Sequence, residues 1–156
     1  MGALEGILVL DLTRYVAGPF ATLALSDAGA DVVKIEPPGG DTIRRFPSTL
    51  EGGSRLFLGL NRGKQSLAID LKKEQGQEIV RRMARRADVF IEGNRPGVAE
   101  NLGLGYESLS AENPRLVYAS VSAYGQKGPL RERRGLDPIL QTHAGIPSQQ
   151  AENGEP

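Results

Sequence analysis

The apolar positions of this chain fall into short unbroken runs separated by stretches with helical spacing, and that alternation predicts layered helices and strands. Ile7-Leu8-Val9-Leu10-Asp11-Leu12 is continuous except for one acid near its end, the pattern of a strand covered on both faces in a parallel sheet. Pro19 suits the first position of a helix, where a missing N–H costs nothing; Phe20, Leu23, Ala24 and Ala28 follow at helical spacing, and Gly29 supplies a stop. Asp31 to Glu36 reads as a second strand, ended by Pro37-Pro38-Gly39-Gly40. Strand, helix and strand in about thirty residues make a right-handed βαβ unit.

Gly39 to Arg55 is rich in Gly, Ser, Thr and Pro and predicts a long functional loop. Short strands are expected near Phe57–Leu60 and Ser66–Leu71, around the polar turn Asn61–Lys64. From Glu74 to Ala87 the spacing predicts a helix with an apolar stripe of Ile79, Val80, Met83, Ala84 and Ala87, and a solvated face of Arg81, Arg82, Arg85 and Arg86. Val89–Ile91 and Leu116–Val121 read as strands, with helices over Val98–Leu102, from Tyr106, and over Asp137–Ala144. The fold class is α/β, a mostly parallel sheet with flanking helices. Ligands of such sheets bind beyond the carboxyl ends of the strands, here the loops after Leu12, Glu36, Leu71, Ile91 and Val121.

The 156 residues carry 19 Lys plus Arg against 19 Asp plus Glu, one His, no Cys and no Trp. A chain of this size is one domain that buries roughly 68–70% of its unfolded surface without disulfide or metal staples. The balanced charge argues against nucleic acid as a partner. No apolar run approaches the roughly 18–20 residues of a membrane span, and Met1-Gly2-Ala3-Leu4-Glu5 does not open a signal peptide. The expectation is a cytoplasmic protein with no membrane partner, metal or prosthetic group.

Arg14-Tyr15-Val16-Ala17-Gly18-Pro19, with Glu36 ending the second strand, imitates a dinucleotide site but lacks the glycines that let a pyrophosphate approach the backbone. His143 is the sole imidazole, so a triad or metal site has only that residue to build on. Asp11, Asp70, Asp88 and Asp137 lie at ends of predicted elements, where carboxylates commonly cap or turn the chain. Lys72-Lys73, Arg95 and Arg131-Glu132-Arg133-Arg134 sit in loops after strands, where a cation can meet a phosphorylated ligand.

Several ordered segments together resemble one family. They include Leu4–Leu12, Ala17-Gly18-Pro19, Gly29–Asp41, Leu60–Lys64, Ser66–Lys72, Ala87–Gly97, Leu102–Tyr106, Asn113–Ser122 and Tyr124–Pro129. Their order and spacing are similar to the N-terminal part of class III CoA-transferases, the formyl-CoA and L-carnitine CoA-transferase type. The resemblance implies a partial, Rossmann-like N-terminal domain over residues 1–146 and an irregular tail over 147–156. It implies transfer of CoA between carboxylic acids through an aspartyl-CoA thioester, with acyl-CoA and a carboxylic acid as substrates, and an interlocked homodimer in the full-length form. An aspartate suits this work because it can attack a thioester carbonyl and later leave again.

Carried over by position, the family's CoA contacts fall on Val16 and Ala17, on Ile69, Asp70, Leu71 and Lys72, on Gly93, Asn94 and Arg95, and on Arg134, Gly135, Leu136 and Asp137. Lys72, Arg95 and Arg134 are the cations expected to approach the phosphates or the adenine ribose. The chain departs from the family pattern at Pro37 and Asn101, where arginine is found in other members, and at Gly93, where asparagine is usual. The nucleophilic aspartate is expected beyond Pro156, leaving no catalytic residue among the 156 and an inactive fragment. The related α-methylacyl-CoA racemases place a His before the Asp of a Gly-x-Asp segment, where this chain has Leu136. A non-catalytic, CoA-binding truncated paralogue is the other alternative.

Overall fold

The computed structural model describes residues 2–51 and 53–147. The tail expected from 147 to 156 lies outside the described residues except for Pro147. Five strands, β1 (Leu8–Leu12), β2 (Asp31–Glu36), β3 (Gln65–Ala68), β4 (Val89–Glu92) and β5 (Val117–Ser120), form one sheet in the order β3-β2-β1-β4-β5. Every pairing is parallel. The helices are α1 (Ala17–Asp27), α2 (Arg55–Asn61), α3 (Glu74–Ala84), α4 (Val98–Asn101), α5 (Tyr106–Glu112) and α6 (Asp137–His143).

Because side chains alternate along a strand, β1 sends Leu10 and Leu12 to one face and Val9 and Asp11 to the other. Leu10, Leu12, Ile35 and Phe90 pack with Val80 and Ala84 of α3 and Leu109 of α5 in the larger core cluster. Each fully buried Leu, Val or Phe side chain contributes about 1.5–3 kcal/mol relative to exposure. On the opposite face Val9, Val32 and Ile91 gather, with Leu25 of α1 against them. Gly76 stands inside α3 because the helix presses on the chain leaving β3, where a Cβ would lie 2.3 Å from the Asp70 carbonyl oxygen.

Several expectations change; among them, α3 ends at Ala84 rather than Ala87, and Ile79, expected in its apolar stripe, is exposed. Phe57–Leu60 is helical, not a strand: the Ser54 hydroxyl accepts from the Phe57 N–H and caps α2, while Phe57, Leu60 and Asn61 are buried at helical spacing. A four-residue apolar run carries too little periodicity to separate the two states, and the cap decides it. Helix α1 begins at Ala17, so Pro19 is its third residue rather than its first. A 3-10 turn over Thr42–Arg45 interrupts the expected loop, its Ile43 joining Phe57 and Leu60 in a separate small core. Strand β3 stops at Ala68 rather than Leu71, and Ile69 to Leu71 turn toward α3.

Helical phase puts Leu58 outside, 52% exposed, and Leu60 inside, whereas a strand would place both on one face. Leu60→Ala is expected to cost roughly 2–3 kcal/mol and Leu58→Ala less than about 0.5 kcal/mol in urea unfolding. Equal losses at the two positions would contradict the helix.

Candidate functional site

The sheet order reverses direction between β1 and β4, and in open parallel sheets the crevice beyond that switch point is where ligands sit. Thr13 and Gly93, which follow those two strands, lie side by side: a Cβ on Gly93 would be 3.4 Å from the Thr13 Cβ. Gly18 is closer still. A Cβ there would fall 2.3 Å from Thr13 Cβ, so only glycine lets the start of α1 approach the end of β1. Between them Tyr15 has φ 63°, the one non-glycine residue of the left-handed region among the described residues.

Beneath this turn lies a buried polar network. Asp11, fully buried on β1, accepts from the Thr13 N–H (3.0 Å) and Thr13 hydroxyl at Oδ1, and from the Thr22 hydroxyl (2.6 Å) and Lys64 Nζ (3.1 Å) at Oδ2. Lys64 Nζ also donates to Asn61 Oδ1 (3.0 Å) and the Pro19 carbonyl (2.8 Å). Lys34 Nζ, equally buried, donates to the Thr13 carbonyl at 2.9 Å and pairs with Asp41 Oδ2 at 3.2 Å. Burial alone pushes the Asp11 carboxyl up, but the Lys34 charge, the Thr13 and Thr22 hydroxyls and Lys64 outweigh it and hold the group below the ordinary range. Lys64 is pulled below the ordinary lysine value, first by burial and further by Lys34, with Asp11 opposing. One partner gains from the pairing while the other still carries a desolvation cost, so the network fixes geometry more than it adds stability.

At the end of β2, Glu36 accepts from Arg44 at both carboxylate oxygens (2.7 and 2.6 Å), from the Asp41 N–H (2.8 Å) and from the Ser66 hydroxyl (2.7 Å). Burial raises this carboxyl, and the Arg44, Asp41 and Ser66 hydrogen bonds overcome it, leaving it at about 2. The acid that imitates a ribose ligand is thus occupied as a loop anchor. Arg44 also lies over the Phe57 ring, 3.7 Å from its centroid. On the other side of the switch point Glu92, buried, accepts from the Asn94 N–H at 2.7 Å. The Tyr118 hydroxyl donates to the Leu104 carbonyl (3.0 Å), and burial together with Glu92 and Glu100 pushes its phenol up, so it anchors rather than titrates.

The residues expected to contact CoA lie in the connections that follow strands, or at the first residue of the helix that comes next. Val16 caps α1 and Ala17 opens it, both exposed. Ile69 is buried after β3, Asp70 accepts from the Lys72 N–H (3.1 Å) in a tight turn, Leu71 is half-buried and Lys72 is exposed. Gly93 and Arg95 are exposed after β4, and the buried amide nitrogen of Asn94 has no hydrogen-bond partner. Arg134, Leu136 and Asp137 are exposed in the segment leading into α6, where Gly135 lies against Ala123 and Asp137 accepts from Gln141. The first and third groups follow β1 and β4 and so flank the switch point, whereas Ile69–Lys72 follows the edge strand two places from β1. Pro37 and Asn101 are exposed.

Asp11 does not act as a simple cap: it is the centre of the buried network. Asp88 accepts from the Leu8 N–H at 2.9 Å. His143 ends α6 with its ring edge-on to Tyr124. Arg81 and Arg85 of the solvated face pair with Glu78 and Glu112. A surface hollow of about 540 Å³ is lined by Ile79, Arg82 and Met83 of α3 and by Arg85 and Arg86 just after it. A hollow of about 300 Å³ between Pro96, Gly97 and Glu100 on one side and Gln126, Arg131 and Glu132 on the other adjoins the loops after β4 and β5. Among the described residues no three His, Cys, Asp or Glu gather as a metal site, and no helix is long and apolar enough to cross a membrane.

An all-parallel five-stranded sheet in this order, with helices on both faces and loops converging at the switch point, is a Rossmann-like α/β domain. The profile of CoA-transferase family III matches residues 4–156, and the chain belongs to that family. It is 44% identical over 148 residues to the succinyl-CoA:glutarate CoA-transferase of Mus musculus, covering 94% of this chain and 34% of that protein. To the acetyl-CoA:oxalate CoA-transferase of Acetobacter aceti it is 47% identical over 146 residues, 93% of this chain and 38% of that one. The crystal structure of Rv3272 from Mycobacterium tuberculosis superposes with a TM-score of 0.92 at 43% identity, covering 99% of this chain and 44% of the other. A CaiB/BaiF family protein from Brucella suis gives 0.89 at 41% identity, covering 94% and 40%. The chain therefore spans between a third and two fifths of the length of the curated relatives it matches.

Glu36 has a lower carboxyl pKa folded than unfolded, so its stabilisation is complete above the ordinary value of 4.5 and drains away as pH falls toward about 2. Arg44→Met is expected to cost about 1–2 kcal/mol at pH 7, since Arg44 is partly open to water, and to flatten the acid limb of the stability profile. An unchanged acid limb in denaturant titrations from pH 7 to 3 would refute the anchor. Gly18→Ala is expected to lower the thermal midpoint by several degrees, because the added methyl displaces Thr13.

Proposed function

We propose that these residues form the N-terminal, CoA-holding part, over 1–146, of a cytoplasmic CoA-transferase that moves CoA between carboxylic acids. What carries the reading is the convergence of the Val16–Ala17 and Gly93–Arg95 loops on the switch point of a chain belonging to CoA-transferase family III. Lys72, Arg95 and Arg134 take part in no ion pair among the described residues, so their charges are available to phosphate groups. Val16, Ala17, Ile69, Asp70, Leu71, Gly93, Asn94, Gly135, Leu136 and Asp137 supply backbone and side-chain contacts around them.

The chemistry is a sequence of acyl exchanges. An aspartate carboxylate attacks the acyl-CoA carbonyl and expels CoA thiolate, giving a mixed anhydride. The thiolate attacks the aspartyl carbonyl of that anhydride and releases the donor acid, leaving an aspartyl-CoA thioester. The acceptor carboxylate repeats the two steps in reverse order. In this reading the nucleophile is not among the 156 residues, which bind CoA without turnover, and the complete protein acts as a homodimer.

Calorimetry of the chain with CoA, and with dephospho-CoA, ATP and NAD as controls, tests the reading. Saturable binding that favours CoA is expected, and Lys72→Ala, Arg95→Ala and Arg134→Ala are each expected to weaken it by about 3- to 10-fold, roughly 0.7–1.4 kcal/mol. Added salt weakens it further, and the thermal midpoint stays put because the three side chains are exposed. A folded chain that binds ATP or NAD as well as CoA would overturn the assignment.

A further inference from the structure

The buried charges beneath the first loop have no part in the transfer chemistry, yet they converge on one residue. Thr13 is 1% exposed, and each of its polar groups is taken: Asp11 Oδ1 accepts from its N–H and its hydroxyl, and Lys34 Nζ donates to its carbonyl. Its side chain meanwhile fills the space that Gly18 and Gly93 leave open. The next residues have no such support. Tyr15 and Val16 are 47% and 49% exposed, and the Arg14 and Tyr15 side chains take no hydrogen bond or ion pair among the described residues. Tyr15 is nonetheless held in the left-handed region, which for a bulky residue persists only when its surroundings over-determine it.

We propose that Thr13 is a positioning residue: clamped between Asp11 and Lys34, it sets the course of Arg14–Val16 and holds that loop against Gly93 in the form that binds CoA. The inference rests on the CoA reading for the identity of the ligand and on the clamp geometry for everything else. Loop order existing before ligand arrives spares binding the entropy of ordering it, so the clamp raises affinity without touching CoA.

The test uses backbone order parameters from nitrogen relaxation on the ligand-free chain, together with calorimetry against CoA. In the unsubstituted chain Arg14, Tyr15 and Val16 are expected near 0.85, as for rigid backbone. Thr13→Val, which keeps the shape and removes the hydroxyl, is expected to drop them toward about 0.6 and to weaken CoA binding about 5- to 10-fold; Thr13→Ser, which keeps the hydroxyl, restores both. Leu109→Ala, a core truncation on the other face of the sheet, is the reference for mere destabilisation and leaves Arg14–Val16 ordered. Thr13→Val with an ordered loop and undiminished binding overturns the proposal, as does equal loosening by Leu109→Ala. A loosened loop in a protein whose unsubstituted form ignores CoA upholds the clamp and overturns the reading of its ligand. Should Thr13→Val fail to fold, the unsubstituted chain decides: a Thr13 amide that exchanges only on global unfolding supports the clamp, and one that exchanges as fast as an open loop refutes it.

Discussion

A carboxylate on the central strand of an open parallel sheet has to be neutralised by its neighbours, and Asp11 is neutralised from three directions. Lys34 reaches it electrostatically from β2, Thr22 from α1, and Lys64 from the turn that follows α2. Because an unpaired buried charge is so costly, these elements are not free to slide: a shift of α1 along the sheet takes Thr22 off Asp11, and a shift of the turn takes Lys64. A hydrophobic residue in place of Asp11 would tolerate many packings of α1. The charge tolerates one.

The same wiring continues outward along the carboxyl edge. Lys34 bridges to Asp41, whose N–H donates to Glu36, and Glu36 holds Arg44 and Ser66. The 3-10 turn, the end of β2 and the start of β3 are thereby joined to the end of β1 through polar contacts, while the apolar clusters hold the layers beneath. The result is a floor of satisfied charges under loops whose own cations, Lys72 and Arg95, remain exposed. A rigid floor with unengaged cations above it suits an anionic ligand, since nothing has to be unpaired when the ligand arrives.

Much of this fold is legible in the residue pattern, for a physical reason. Strands buried on both faces must be apolar throughout, so β1, β2 and β4 announce themselves, and Gly29 marks the end of α1 by its φ of 102°. Helix α2 is not legible as a helix because Phe57–Leu60 is too short to display a period. The network is illegible for a different reason: Asp11 and Lys64 are separated by 53 residues, and only the topology says that they meet. Asp11 inside an apolar run was a usable signal, since an acid there must find a partner if the strand is buried. The loops after β1, β3 and β4 followed from the strand–helix alternation alone, and the choice of particular residues within them came from the family resemblance.

Two ways exist to bring a charged ligand to a first strand–helix turn, and this chain lacks the glycines of the more familiar one. Successive glycines let a pyrophosphate lie against the helix N-terminus, with the backbone as the ligand-binding surface. Here the turn holds Arg14, Tyr15 and Val16 in place of those glycines, and the glycine near it, Gly18, is spent on contact with Thr13. Negative charge must then be met by side-chain cations, and those lie apart. With strands spaced about 4.8 Å, the loop after β3 that carries Lys72 and the loop after β4 that carries Arg95 are separated by three strand intervals, about 14 Å. An anion shorter than that separation meets only one of them, and only a ligand long enough to lie along the edge can meet both. The first turn of this sheet is therefore shaped by the packing of Gly18 and Gly93 against the side chain of Thr13, not by a glycine-rich backbone.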